Sequence, residues 1–262
     1  MEFEKSTFGK RLKSMLAVDF KRAFTTKFFY IVLGIAFAVP VLILVMTTAM
    51  DGTVTVNPQT GEPSVIEGFD TVWQIIGSAG GAMQMGLTGM CNINMAYFGV
   101  AVFVCLFVSD DFRSGYAKNL FAVRATKGEY ALSKTLLGFI CGTLVLVAFF
   151  LGSMLGGAVA GLPFDLDGVT DGNIFACMLA KIFLLPVFVS VAVLAGTVGK
   201  QKAWLAVVLS FAFGALLFTV IPIVTPLDAG FAHILLTLVG GVAFGFGIGA
   251  VSRLVLKKTD LV

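Results

Sequence analysis

The stretch 28–50, FFYIVLGIAFAVPVLILVMTTAM, holds no charged residue. About 20 apolar residues carry a helix across the hydrocarbon core of a bilayer, so this run reads as a membrane-spanning helix. On its N-terminal side, residues 1–27 hold seven basic side chains, Lys5, Lys10, Arg11, Lys13, Lys21, Arg22 and Lys27. On its C-terminal side, residues 51–85 hold none, but contain Asp51, Glu62, Glu67 and Asp70. The same alternation continues along the chain. Five more apolar runs, at 86–109, 134–160, 174–198, 203–225 and 231–252, predict further spans.

The connections alternate in charge. Basic residues fall in 110–134 (Arg113, Lys118, Arg124, Lys127, Lys134), in 199–202 (Lys200, Lys202) and in the 253–262 tail (Arg253, Lys257, Lys258). The 161–173 and 226–230 loops carry only Asp165, Asp167, Asp171 and Asp228. By the positive-inside rule the expected fold is all-α with six transmembrane helices and both termini cytoplasmic. Composition agrees: 58% of residues are apolar, 13% are charged and mean hydropathy is +0.99, outside the range of soluble domains. The first run follows 27 residues and is too long for a signal-peptide core, so it is expected to stay in place. The net charge of +3 is spread over four segments, and no nucleic-acid partner is expected.

Chemistry is expected elsewhere. Cys91, Cys105, Cys141 and Cys177 show no CxxC spacing, His233 is the single histidine, and no G-x-x-x-x-G-K-[ST] or H-E-x-x-H motif occurs. No catalytic, cofactor or metal residue is therefore assigned. By these boundaries no Asp or Glu falls inside an apolar run, which disfavours an ion-coupled carrier. Beyond Lys134 at the first position of its run, Lys181 is the one basic residue within a run. It either snorkels to the outer headgroups, lines a translocation path, or pairs with an outer carboxylate such as Asp171.

Within 1–27, Phe8, Leu12, Met15, Leu16, Phe20, Ala23 and Phe24 recur at helical spacing, with Lys10, Lys13, Ser14 and Lys21 opposite. This predicts an amphipathic helix at the inner interface. Asp19 falls inside the apolar stripe, so either Arg22 compensates it or that point meets protein. In the second span Gln84, Thr88, Asn92 and Asn94 form a polar outer half that borders a translocation path or bonds a neighbouring helix. Residues 51–85 predict an outer loop followed by an interfacial or re-entrant piece. Gly152 with Gly156, Gly157 with Gly161, and Gly241, Gly245 and Gly249 predict close helix contacts.

The longest inner connection is 110–134, DDFRSGYAKNLFAVRATKGEYALSK, which predicts a short helix, a turn and re-entry into the third span. An acidic residue ahead of F-R-S-G-Y-x-K-N-L, then T-K-G-E-Y-x-L-S-K leading into a span, resembles the membrane subunits of type-2 ABC exporters. The likeness is greatest to bacterial permeases of peptide-antibiotic (lantibiotic and bacteriocin) export and immunity. It extends over the six-helix plan and the amphipathic start. Many members carry a Pro where this chain has Val123, Arg124 and Ala125.

The resemblance implies a coupling helix within 110–133 that docks on a separate ATPase subunit. Phe112, Tyr116 and Phe121 are then candidate anchors, with Asp111, Arg113, Arg124 and Lys127 as polar contacts and Gly115 at the turn. It also implies an ABC ATPase dimer holding ATP and magnesium, a second permease copy or related permease, and a bacterial plasma membrane. The expected function is export of an amphipathic peptide or hydrophobic antibiotic by alternating access. An ATPase-independent carrier or channel, and a non-transporting membrane partner or sensor, are the competing readings.

Overall fold

The computed structural model describes residues 7–56, 63–78, 91–123, 126–166 and 168–258. Helix α1 covers Phe8–Thr25 and α2 covers Lys27–Met50, joined at Thr26, whose extended backbone separates them. A hairpin of β1 (Val54–Val56) and β2 (Pro63–Val65) follows, paired antiparallel with Thr55 opposite Ser64. After 3-10 turns at Val72–Ile75 and Ile93–Met95 come α3 (Ala96–Arg113) and α4 (Tyr116–Val123). The rest is α5 (Lys127–Ala160), α6 (Asp171–Gly199), α7 (Ala203–Phe218), α8 (Ile221–Val224) and α9 (Phe231–Lys258).

Five helices, α2, α3 with its preceding 3-10 turn, α5, α6 and α9, are long and apolar enough to cross a membrane. They form an antiparallel bundle with two chemically different ends. At the basic end, Arg11 of α1 bonds Glu129 at the start of α5, and Lys127 donates to the Leu256 carbonyl near the end of α9. Both ends of the described chain therefore meet at the start of α5. At the acidic end, Val72 N–H donates to the Pro163 carbonyl, and the Asn173 amide donates to Ala229. Asp51, Asp70, Asp165, Asp171 and Asp228 lie there.

Local chemistry sets the helix ends. The Thr126 hydroxyl accepts from Glu129 N–H while the Glu129 carboxylate accepts from Thr126 N–H, a capping box that starts α5. Thr170 and Asn173 do the same for α6. Helix α5 stops at Gly161, whose φ of +72° suits a residue without Cβ.

Helix α6 packs against α3, α5, α7 and α9, and α5 carries α1 and α2 on its other side. Glycines allow the closest approaches. A Cβ on Gly152 would collide with the Phe37 carbonyl, and one on Gly156 would lie 2.8 Å from Val41 Cα, so α2 and α5 nearly touch. Gly241 meets the Phe183 carbonyl in the same way, whereas a Cβ on Gly245 would make only an ordinary contact with Pro186 and Gly249 faces open space. Helices α2 and α9 turn large apolar side chains outward, among them Ile31, Ile35, Leu42, Leu236, Val239 and Phe246. Water does not tolerate such faces at this density, and lipid does.

Several expectations need correction. The apolar run 203–225 is not one helix: α7 has 16 residues and a turn at Thr219–Val220 separates it from α8. Pro222 lacks the N–H that would bond the Phe218 carbonyl, and it sits instead in the first turn of α8, where no such bond is needed. The runs 134–160 and 231–252 extend to Lys127–Ala160 and Phe231–Lys258, so the tail is helical to 258. The run 86–109 is described only from 91, and its helix continues to Arg113. Candidate spans consequently do contain carboxylates: Asp110, Asp111 and Glu129 in end turns at the basic end, and Asp171 in the first turn of α6 at the acidic end. In 51–85, the described part is the hairpin plus a buried apolar plug of Phe69, Val72, Trp73, Ile75 and Ile76.

Candidate functional site: a buried ion cluster at the basic end

Asp19 of α1, Asp111 of α3 and Lys134 of α5 meet inside the protein, each at most 1% exposed. Lys134 Nζ lies 2.6 Å from Asp19 Oδ1 and 2.6 Å from Asp111 Oδ2. Ser133 donates to the other Asp19 oxygen at 2.8 Å, and the Tyr130 hydroxyl donates to Asp111 Oδ2 at 2.9 Å. Arg22 closes the cluster, donating to Asp111 Oδ1 at 2.6 Å and lying 3.6 Å from Asp110. Two carboxylates, one ammonium and one guanidinium thus balance in charge among the four central groups. Buried charge is tolerated only when paired and hydrogen-bonded in this way.

Aromatic rings complete it. The Arg22 guanidinium stands 4.5 Å from the Tyr116 ring centre and 5.0 Å from Phe107, and Lys134 Nζ is 4.6 Å from Phe107. Burial alone pulls the Arg22 pKa down, but the Asp111 charge and hydrogen bond outweigh it and the guanidinium ends above its usual value. The Tyr116 phenol is raised, first by burial and then by Asp19 and Asp111, and stays neutral. One turn away, Arg11 makes a two-point contact with Glu129 Oε1 at 2.9 and 2.6 Å, which raises the Arg11 pKa through that hydrogen bond. Glu129 serves this pair and the α5 capping box together.

This geometry relocates the expected coupling residues. Asp111 is fully buried, so it offers nothing to a separate protein in this conformation. Phe112 is buried and packs edge-on against Tyr130, as does the half-buried Phe121. Tyr116 lies under Arg22. The three aromatic side chains attach the 110–123 segment to its own bundle. Gly115 has φ +74° and makes the sharp turn from α3 into α4. Arg113 is exposed, Lys127 is tied to α9, and Arg124 lies outside the described residues. The free surface of α4 is Lys118, Asn119 and Ala122.

The polar residues expected near a path divide similarly. Lys181 is fully buried about 15 Å along α6 from its start. It does not snorkel, and it does not pair with Asp171: its ammonium donates to Asn94 Oδ1 and Thr225 Oγ1, both at 2.9 Å. Asn92 instead caps the 3-10 turn by accepting from Asn94 N–H. Gln84 and Thr88 lie outside the described residues. Cys105, Cys141 and Cys177 are buried free thiols, and no group of three His, Cys, Asp or Glu side chains able to hold a metal occurs among the described residues.

Sequence reasoning missed Lys134, Tyr130, Ser133 and Glu129 as parts of a site. Two signals pointed there: Asp19 in an apolar stripe, and the T-x-x-E capping spacing at Thr126 and Glu129. The chain matches no protein-family model, no curated protein and no solved structure.

Proposed function

We propose that this chain is the membrane subunit of an ATP-driven exporter, receiving its power stroke through 110–123 from a separate ATPase dimer that holds ATP and magnesium. The observation that carries the reading is the double attachment of 110–123. Through one buried ion cluster it is joined to α1 and to the start of α5, so a push on α4 moves two other helices as one body. The resemblance of 111–134 to the coupling segments of type-2 exporters supports the same assignment. The partner-facing surface in this scheme is the free face of α4, Asn119 and Ala122, with the aromatic side chains acting as its internal anchors.

In the same reading, α7 and α8 together complete a sixth crossing, α1 lies along the inner face, and both termini are cytoplasmic in a bacterial plasma membrane. A second copy or a related permease completes the cavity. The cargo is an amphipathic peptide or hydrophobic antibiotic. Pull-down of the tagged chain from native membranes, followed by mass identification, is expected to recover an ATPase subunit that an Asn119→Trp/Ala122→Trp variant fails to retain. Retention of that subunit and of transport by this variant would sink the docking scheme.

Lys181 favours one second reading, an ATPase-independent carrier, because a buried cation at membrane depth is a feature of such proteins. Transport that persists with an inactive ATPase and stops when the proton gradient is collapsed would establish it instead.

A further inference from the structure

At the basic end, the turn after α3 and the link between α6 and α7 face each other across an open groove of about 700 Å³. Arg113, Lys118, Lys200 and Lys202 border it, and no carboxylate does among the described residues. Their neighbours Arg11, Arg22 and Lys134 are engaged by Glu129, Asp111 and Asp19, whereas these four are exposed and make no ion pair or side-chain hydrogen bond among the described residues. Lys200 also has φ +49°, the only positive φ at a non-glycine among the described residues. A side chain held in that backbone region marks a position where function is worth looking for.

The groove opens beside a lipid-facing surface. Trp204, the second residue of α7 and two residues after Lys202, is 67% exposed and has the ring type that settles at headgroup depth. Val208 and Phe211 continue from it along one exposed face of α7, and Val198 and Leu205 line the groove itself. Cations at the mouth and an apolar stripe running away from it match a molecule with a phosphate head and acyl chains. Basic pockets between membrane helices bind such headgroups through the same combination.

We propose that this groove binds the headgroup phosphate of an anionic phospholipid, with the acyl chains lying against Trp204, Val208 and Phe211. The charge of Lys200, Lys202, Arg113 and Lys118 selects it over a zwitterionic lipid. This proposal needs the chain in a bilayer but does not depend on an ATPase.

The test uses the full chain in phosphatidylcholine vesicles containing brominated lipid, with Trp204 emission as the reporter. Trp73, buried at the opposite end, supplies a constant background. Brominated phosphatidylglycerol is expected to quench at several-fold lower mole fraction than brominated phosphatidylcholine, and less so at high salt. Lys200→Gln/Lys202→Gln should lower that preference about fivefold per charge removed, and Lys118→Gln on the other wall about fivefold alone. Lys13→Gln/Lys21→Gln, an equal charge loss on the exposed side of α1, should leave it unchanged. Equal loss in both double variants would mean diffuse surface attraction and overturn the proposal. Protection of Lys200 and Lys202 from acylation by pyrophosphate in pure phosphatidylcholine vesicles would assign the groove to a soluble phosphate instead. An unchanged lipid preference in Lys200→Gln/Lys202→Gln, with loss of a bound ATPase subunit, would assign it to a protein surface.

Discussion

The Phe37 carbonyl oxygen of α2 lies against the Cα of Gly152 on α5, too close for any side chain at position 152. Pro40 follows one turn later on α2 and packs on the same glycine. The arrangement recurs between Phe183, Pro186 and Gly241, where α6 meets α9. In both pairs a proline-containing helix presents a backbone carbonyl to glycine, a contact in which the Cα–H can point at the oxygen.

Gly152→Ala and Gly241→Ala should each separate a helix pair and lower stability by about 1–3 kcal/mol, the range for overpacking. Gly247→Ala, which meets nothing within 4 Å, is the control and should match the unsubstituted chain. Thermal unfolding in one detergent ranks the three. A Gly152→Ala melting curve indistinguishable from that of Gly247→Ala would mean the helices are not in contact there.

Lys134→Met removes the cation between Asp19 and Asp111 and leaves two buried carboxylates with Arg22 alone. Breaking a buried pair from one side costs about 3–5 kcal/mol. Adding Asp19→Asn should recover part of that loss, so the two substitutions should be non-additive. Chemical unfolding of the four-member cycle measures the coupling. Strict additivity would show that Lys134 and Asp19 do not interact.

The apolar runs were legible because hydrocarbon demands about 20 residues without charge, and nothing soluble needs so many. Their ends were less so. Asp110, Asp111, Glu129 and Lys134 read as loop charges because charge ordinarily marks water, yet here they extend α3 and α5, Asp111 pairing with Lys134, Asp110 with Arg22 and Glu129 with Arg11. Asp19 and Lys134 are 115 residues apart, and no local pattern announces such a pair. Lys181 misled for a related reason: its partners Asn94 and Thr225 come from separate elements, and a lone lysine near an interface reads as one that reaches water.

Lys181→Met should leave stability unchanged or raise it. The ammonium has amide and hydroxyl partners but no carboxylate among the described residues, and Thr225 keeps its bond to the Ile221 carbonyl when the ammonium is gone. A melting temperature equal to or above the parent, combined with altered transport, would mark Lys181 as functional. A large fall in melting temperature would make it a structural link.

The one-sided basic charge predicts an orientation. Cysteines introduced at Asp165 and Gln201 occupy opposite ends of the bundle, and three of the four native thiols are buried. In intact cells an impermeant thiol reagent should label Asp165→Cys and spare Gln201→Cys. The reverse pattern would put the basic end outside and remove the basis for an intracellular ATPase partner.

Helix α4 supplies the sharpest contrast, because its two faces are expected to fail differently. Phe112, Tyr116 and Phe121 point into the bundle, so truncating all three to Ala should loosen 110–123 from α5 rather than erase a docking surface. A buried Phe→Ala change commonly costs about 3–5 kcal/mol, and the half-buried pair should cost less each. Faster hydrogen exchange and proteolysis confined to 112–126 should report it, because among the long apolar helices only the last turn of α3 is touched. Asn119→Trp/Ala122→Trp changes only exposed positions and should leave exchange and melting at parental values, while an ATPase subunit no longer binds. If both variants lose the subunit, rigid attachment and the outer face are both required, as a push transmitted through the Asp19, Asp111 and Lys134 cluster demands. If the triple Ala variant loosens 112–126 and still transports at the parental rate, the cluster is a structural clasp and the stroke enters the bundle elsewhere.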